Sequence, residues 1–310
     1  MPDHVITVED VETWTGPPLV LFAGISTAGS LAHVVFDGWA GALGRSWVLR
    51  GIDLPADSPP PVYRRLLAAM RGNPLVQGAV VTAHKLRLYR ACAAELSERD
   101  RLVELTGEIN TLATGDRVAA YANDARSLTA ILGSPAGSRI VCLGAGGAAT
   151  ALLLALHLDV EMGVPRPDPP ERLVFADIDP TALDALQRVA ERIGARPELV
   201  HLSGPADHLV PDATLVVNAT GLGKDRPGSP VTGHAPWTPG TVVWDLNYRG
   251  DLTFLHQAAT HGLSTQDGWD YFVAGWAGAL TAIAGEPFTP HILSALAAAA
   301  APHRPRRTGT

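Results

Sequence analysis

The apolar run Ile140-Val141-Cys142-Leu143 passes directly into Gly144-Ala145-Gly146-Gly147-Ala148-Ala149 and then into a helical segment, Thr150 to Leu158. A strand, a glycine turn and a helix in immediate succession commit this part of the chain to a βαβ unit whose turn can cradle a dinucleotide. Gly144 permits the tight turn, and Gly146 lets the backbone approach a pyrophosphate. Gly147 and Ala148 complete the cofactor-binding turn, Ala149 keeps the helix close to the strand, and the helix N-terminus faces the phosphate charge. A second apolar run, Arg172 to Ala176, ends at Asp177, where a carboxylate can accept hydrogen bonds from a ribose. The spacing from the glycines exceeds the usual ~20 residues. The excess falls in Gly163-Val164-Pro165-Arg166-Pro167-Asp168-Pro169-Pro170, read here as an inserted loop. The alternative for Asp177 is a turn role ahead of the next helix, although Asp179 suits the cap better.

A chain of 310 residues, 46% hydrophobic, is long enough for two domains with separate cores. Its net charge of −7 argues against a nucleic-acid surface, because phosphate binding draws on clustered Lys and Arg. The basic tail, His303, Arg304, Arg306 and Arg307, reads as a solvated end. Only Cys92 and Cys142 occur, far apart in apolar settings, so neither a disulfide nor a cysteine metal site is expected and a reducing cytoplasm fits. Met1-Pro2-Asp3-His4 lacks the basic region and apolar core of a signal peptide, and no apolar stretch reaches membrane-spanning length.

Short apolar runs alternate with helical patterns along most of the chain, which predicts an α/β protein. Strands are expected at Leu19 to Ala23, Trp47 to Arg50 and Gly78 to Thr82. Helices are expected at Leu31 to Leu43, Pro61 to Met70, Leu86 to Ser97 and Tyr121 to Leu132. The punctuation Gly133-Ser134-Pro135-Ala136-Gly137-Ser138 marks a domain boundary. This gives a substrate-binding domain over 1–133, a doubly wound parallel sheet of Rossmann type over 134–267, and C-terminal helices with a basic tail over 268–310. Two of those helices are expected at Trp269 to Ile283 and Pro290 to Ala300.

Four further segments carry candidate chemistry. Val81-Thr82-Ala83-His84-Lys85 puts a lysine just past a strand end, and Gly107-Glu108-Ile109-Asn110-Thr111-Leu112 offers an amide. Tyr121-Ala122-Asn123-Asp124 offers a carboxylate at a helix start, and Asp245-Leu246-Asn247-Tyr248 ends a strand. With Gly24-Ile25-Ser26-Thr27-Ala28-Gly29-Ser30 and the glycine turn, this ordered set, spanning about residues 20 to 290, resembles the shikimate dehydrogenase family, which includes quinate/shikimate dehydrogenases. The resemblance implies reversible hydride transfer between a ring carbinol and a nicotinamide. It implies Lys85 as catalytic lysine with Asp124 as its partner carboxylate, and Ser30, Thr82, Asn110 and Tyr248 as substrate contacts. The last helices are implied to return to the substrate domain.

The chemistry asks for such groups independently, since a carbinol that loses hydride must also lose its hydroxyl proton. Each residue also has a plain structural reading: Lys85 as a solvated helix residue, Asp124 as an N-cap, Asn110 as a turn residue, Tyr248 as core. His33 and His84 have no neighbour at metal-like spacing, and no metal site is assigned.

Departures from the family pattern set further expectations. Where two serines one residue apart are usual, the chain reads Ser30-Leu31-Ala32, with His33 in place of proline, and Gly275 stands where a substrate-contacting glutamine is usual. The lost contacts would hold a carboxylate, so a cyclic polyol or its ketone with an altered or absent carboxylate, such as a cyclitol of specialised metabolism, is the expected substrate. Trp276 either fills the vacated volume or belongs to the core. Asp177-Ile178-Asp179 replaces the Asn-Arg-Thr type sequence of members that bind NADP, so NAD is the expected cofactor. The resemblance implies no nucleic-acid or membrane partner and leaves room for a homodimer. Two other readings stay open: a non-catalytic binding or regulatory protein on the same scaffold, and another two-domain dehydrogenase such as a methylene-tetrahydrofolate dehydrogenase.

Overall fold

The computed structural model describes residues 4–306 except 116 and 225; Met1, Pro2, Asp3 and Arg307 of the sequence argument lie outside the described residues. The chain forms two compact units. One comprises the chain up to Asp124 together with Val273–Arg304, and the other Ala125–Phe272. The fold is α/β throughout, as the alternating pattern implies.

The first unit is built on a six-stranded sheet of β1 (Leu19–Gly24), β2 (Val48–Asp53), β3 (Val76–Val81), β4 (Glu98–Arg99), β5 (Thr111–Ala113) and β6 (Ala119–Tyr121), in the order β2-β1-β3-β5-β6-β4. β1 pairs in parallel with β2 and β3, whereas β5 runs antiparallel to β3 and β6. The centre of the sheet reads as a nearly unbroken apolar run, Leu19-Val20-Leu21-Phe22-Ala23, because it is covered on both faces. Its helices are α1 (Val8–Glu12), α2 (Ala32–Ala42), α3 (Pro60–Gly72), α4 (Lys85–Cys92) and α5 (Arg101–Thr106). Their ends follow local chemistry. Pro60 opens α3, and Asp100 caps α5 by accepting from Val103 N at 2.7 Å. Gly107, at φ 67°, ends α5 in the left-handed conformation that glycine adopts without strain.

The chain passes into the second unit within α6 (Asp124–Ile131), whose first residue still belongs to the first unit, ahead of the Gly133-to-Ser138 punctuation; the second unit carries β7 (Arg139–Leu143), α7 (Gly147–His157), β8 (Leu158–Asp159) and β9 (Val164–Pro165). It continues through β10 (Arg172–Asp177), α8 (Pro180–Ile193), β11 (Glu198–His201), β12 (Leu215–Asn218), β13 (Val242–Asp245), α9 (Thr253–Thr260) and β14 (Ser264–Gln266). The order β11-β10-β7-β12-β13-β14 is parallel at every pairing. Counted from β7 it is 3-2-1-4-5-6, the doubly wound arrangement of dinucleotide-binding domains. α7 is apolar nearly all round and is buried along almost its whole length. The chain leaves this unit on α10 (Trp269–Ala284), continues into the first unit, and ends in α11 (Pro290–Ala300), which packs on α2 through Trp39 Nε1 donating to Leu296 O at 3.1 Å.

Three local expectations are corrected. Residues 163–170 are not wholly loop, since Val164–Pro165 pairs with Leu158–Asp159 as a two-stranded ribbon whose edge tolerates proline. The helix expected over Leu86 to Ser97 stops at Cys92 and tightens into a 3₁₀ turn at Ala93–Glu95. The helix expected from Tyr121 is preceded by a strand, β6, and starts only at Asp124.

At Gly144, φ is 110° and an added Cβ would lie 2.7 Å from the Ala219 carbonyl carbon, so the turn and the loop after β12 are in backbone contact. At Gly146 an added Cβ would meet nothing within 4 Å. Gly144→Ala should therefore lower unfolding free energy by about 1–3 kcal/mol in chemical denaturation, while Gly146→Ala leaves it near wild type.

Candidate active site

The loops that follow β1 and β3 and the segment entering β5 meet at one end of the first sheet, joined by Thr82 N to Ala23 O at 3.0 Å and Val81 N to Asn110 O at 2.7 Å. Ends of parallel strands are where α/β proteins gather ligand-binding loops. Lys85 is the first residue of α4. The residue before it, His84, is buried and fully engaged, its ring bonded to Tyr63 Oη at 2.9 Å and Leu54 O at 3.0 Å, so His84 anchors the helix start.

Lys85 Nζ forms a partly buried ion pair with Asp124 Oδ2. Asn110 Nδ2 donates to the other oxygen, Asp124 Oδ1, at 2.6 Å. Asn110 Oδ1 in turn accepts from Asn123 N at 2.9 Å and Thr111 Oγ1 at 3.0 Å, which fixes the amide orientation. Both Asp124 oxygens thus go to Lys85 and Asn110, and neither goes to the amides of its own helix. Burial alone would lower the lysine pKa, but the charges of Asp124 and Glu108 outweigh it and hold Lys85 above the ordinary lysine range. Lys85 is therefore an ammonium, a proton donor in its resting state.

Sequence reasoning did not single out Glu108. Its carboxyl is held above the usual carboxylate range by burial, with the Asp124 charge raising it and Lys85 opposing. It also passed over Asp53, whose Oδ1 accepts from Thr27 N at 2.8 Å and Thr27 Oγ1 at 2.6 Å and so pins the loop carrying Ser30. Asp53 offered only an acidic residue at a strand end, and Glu108 only an acidic residue in the turn after a short helix.

Ser30 Oγ is turned to its own helix start, accepting from Ala32 N at 3.2 Å, and Thr82 is exposed. An added Cβ at Gly275 meets nothing within 4 Å. Trp276 is core: it stacks on Trp39 with centroids 5.4 Å apart and tilts against Phe22 at 5.1 Å. His33 stacks on His4 at 4.7 Å, and burial holds its pKa below the ordinary histidine range. In the second unit, Tyr248 packs against Phe272 at 4.5 Å and Trp269 at 5.8 Å.

The second unit holds a cavity of about 800 Å³ lined by Gly146, Asp177, Ile178, Ser203, Thr220 and Arg226 among others. Asp177 binds Ala145 N at 2.7 Å and Asp179 N at 2.9 Å, so it braces the glycine turn while facing the cavity. Asp179 caps α8 through Thr181 N at 2.8 Å. Gly147, Ala148 and Ala149 form the first turn of α7, whose N-cap Gly146 brings no side chain to its amides. Cys92 and Cys142 are buried free thiols whose burial disfavours the thiolate, the former pushed up to about 12. Among the described residues no cluster of His, Cys, Asp and Glu could hold a metal, and no helix is long and apolar enough to cross a membrane.

The loop after β12 is fixed from below by a buried network. Asn218 Nδ2 and Asn247 Nδ2 both donate to Leu222 O, and Asp245 accepts from Asn218 Nδ2 at 3.0 Å and Asn247 N at 2.8 Å. Burial raises Asp245 to about 6 against those hydrogen bonds. A carboxyl raised on folding contributes its full stability below the unfolded pKa and loses it as pH rises through the folded one. Stability should therefore fall between about pH 4 and 7 by up to about 3 kcal/mol from this group. Denaturation across that range should show a fall that is smaller in Asp245→Asn than in wild type by this group's share.

No protein-family model matches the chain. A shikimate dehydrogenase (NADP(+)) of Rhizobium rhizogenes strain K84 is 30% identical over 240 residues, covering 74% of this chain and 76% of that protein. Among solved structures, a shikimate dehydrogenase in complex with NADP+ superposes with TM-score 0.72 at 20% identity, covering 94% of this chain and 96% of that one. A quinate dehydrogenase from Corynebacterium glutamicum in complex with NAD superposes with TM-score 0.68 at 22% identity, covering 91% and 99%. On this likeness, the chain belongs to the shikimate dehydrogenase family of oxidoreductases acting on CH–OH groups.

Proposed function

We propose that this chain is an NAD-preferring dehydrogenase of a ring carbinol in a shikimate- or quinate-like cyclic polyol, or a reductase of the matching ketone, acting on a substrate whose carboxylate is altered or absent. The observation that carries the reading is the Lys85-Asp124-Asn110 network at the loop end of the first sheet. When bound, the nicotinamide supplies the hydride acceptor or donor. The chain's part is to bind the ring, orient the reacting oxygen and hold its proton. Lys85 offers that oxygen an ammonium, Asp124 and Asn110 keep the ammonium in place, and Ser30, Thr82 and Tyr248 are assigned to the ring hydroxyls.

The second unit fits a dinucleotide. Gly146 leaves open space, the uncapped amides of α7 point out of its N-terminus, and Asp177 lines the adjoining cavity. Relatives of this fold have been solved with NADP+ and with NAD. Asp177 and Asp179 with the exposed Ile178 between them favour NAD, because two carboxylates disfavour a ribose 2′-phosphate. Arg226 also lines the cavity, with its guanidinium donating to Thr220 O at 2.8 Å. On the substrate side, Ala32 and Gly275 bring no side-chain hydrogen-bond donor, so a carboxylate would lose contacts worth about 1.5–3 kcal/mol each.

Lys85→Met should lower kcat by about 10²- to 10⁴-fold and leave NAD affinity, measured by calorimetry, unchanged. Steady-state kinetics on shikimate, quinate and carboxylate-free cyclitols, each with NAD and NADP, should give the highest kcat/KM for a carboxylate-free ring with NAD. Efficient NADP-linked oxidation of shikimate would overturn both finer assignments. No turnover on any ring would favour a binding protein.

A further inference from the structure

Lys85 must recover its proton after every ketone reduction and shed one after every carbinol oxidation. Asp124 is badly placed to carry that traffic: one oxygen is bound to Lys85 and the other to Asn110, whose amide is itself locked by Asn123 and Thr111. Glu108 is differently placed. It lies just past the end of α5, directly before Ile109, whose N donates to Lys85 O at 3.3 Å, so the segment runs alongside the first turn of α4. Its backbone N donates to Thr106 Oγ1 at 3.0 Å, its side chain has no hydrogen-bond partner among the described residues, and it is half-buried. Its charge acts on Lys85 without a direct ion pair. The titratable groups acting on it are Lys85 of α4 and Asp124 of α6, and the Tyr89 ring of α4 flanks Gly107.

We infer that Glu108 is the proton relay between Lys85 and solvent, exchanging with Nζ through one bridging water. The inference rests on the dehydrogenase reading above. In the reducing direction the ketone carbon takes the hydride, the ketone oxygen takes a proton from the Lys85 ammonium, and a carbinol and a neutral amine result. The Glu108 carboxylic acid then gives its proton through the water to the amine, and the carboxylate refills from solvent. In oxidation the same protons run backwards, so each turnover exchanges one proton with solvent. The raised pKa of Glu108 keeps its acid form present nearer neutrality than an ordinary glutamate would. Acting through Lys85, Glu108 is a positioning and relay residue.

The relay predicts a split between first and later turnovers. In Glu108→Gln, single-turnover ketone reduction should match wild type, because Lys85 starts out protonated, while steady-state kcat falls by about 10- to 100-fold with substrate KM unchanged. The kcat–pH profile should lose one inflection, and formate should restore kcat in Glu108→Ala. Without any substrate, infrared difference titration of wild type should show a carboxylic-acid carbonyl band above the ordinary glutamate range that is missing from Glu108→Gln. An active wild type whose Glu108→Gln variant keeps kcat and its pH profile, or loses the first turnover as heavily as the later ones, overturns the relay alone. A wild type inactive on every ring overturns the dehydrogenase reading and the relay with it.

Discussion

Everything at the loop end of the first sheet hangs on one carboxylate. Asp124 binds Lys85 through one oxygen and Asn110 through the other, and so ties together the start of α4, the segment entering β5 and the start of α6. A partly buried charge pair is costly unless each member is matched, and breaking it from one side leaves the other without its partner. The cost is offset by supports that face inward: His84 holds the helix behind Lys85, and Asn123 and Thr111 hold the amide behind Asp124. Three side chains distant in sequence thereby have little freedom, as pre-organised chemistry requires.

The second unit solves a related problem with backbone rather than charge. Its glycine turn touches the loop after β12, and Asn218, Asp245 and Asn247 hold that loop from beneath. Asp177 braces the turn, and a carboxylate oxygen that accepts from a turn amide still has a lone pair to offer. The turn reading and the ribose reading of that residue are therefore compatible.

What the sequence made legible follows from signal length. The strand-turn-helix run from Arg139 to His157 and the helix over Pro290–Ala300 carry long periodic patterns, and the cap Asp179 marks where α8 starts. β5 and β6 are three residues each, too short for any period to show. α9 starts after Leu252, a non-glycine residue at φ 47° with no side-chain cap, so it has no N-terminal signature. Within the site, Lys85, Asn110 and Asp124 could be named because their motifs occur in a recognisable order. Glu108 could not, because what sets it apart is burial beside two other charges, a property of the folded chain. His84 and Trp276 settle as anchoring and core residues only once Tyr63, Leu54 and Trp39 are seen around them.

The stack of Trp39 on Trp276 joins α2, near the start of the chain, to α10, near its end, and both rings are almost wholly shielded from solvent. Two indoles so close and nearly parallel are placed to couple their electronic transitions, so a circular-dichroism couplet from the pair is expected to vanish when either helix undocks. Trp237, Trp244 and Trp269 all belong to the second unit and lie outside that pair. That pair offers an optical label for the closure of the chain-spanning first unit, to which Trp14 and Trp47 also belong.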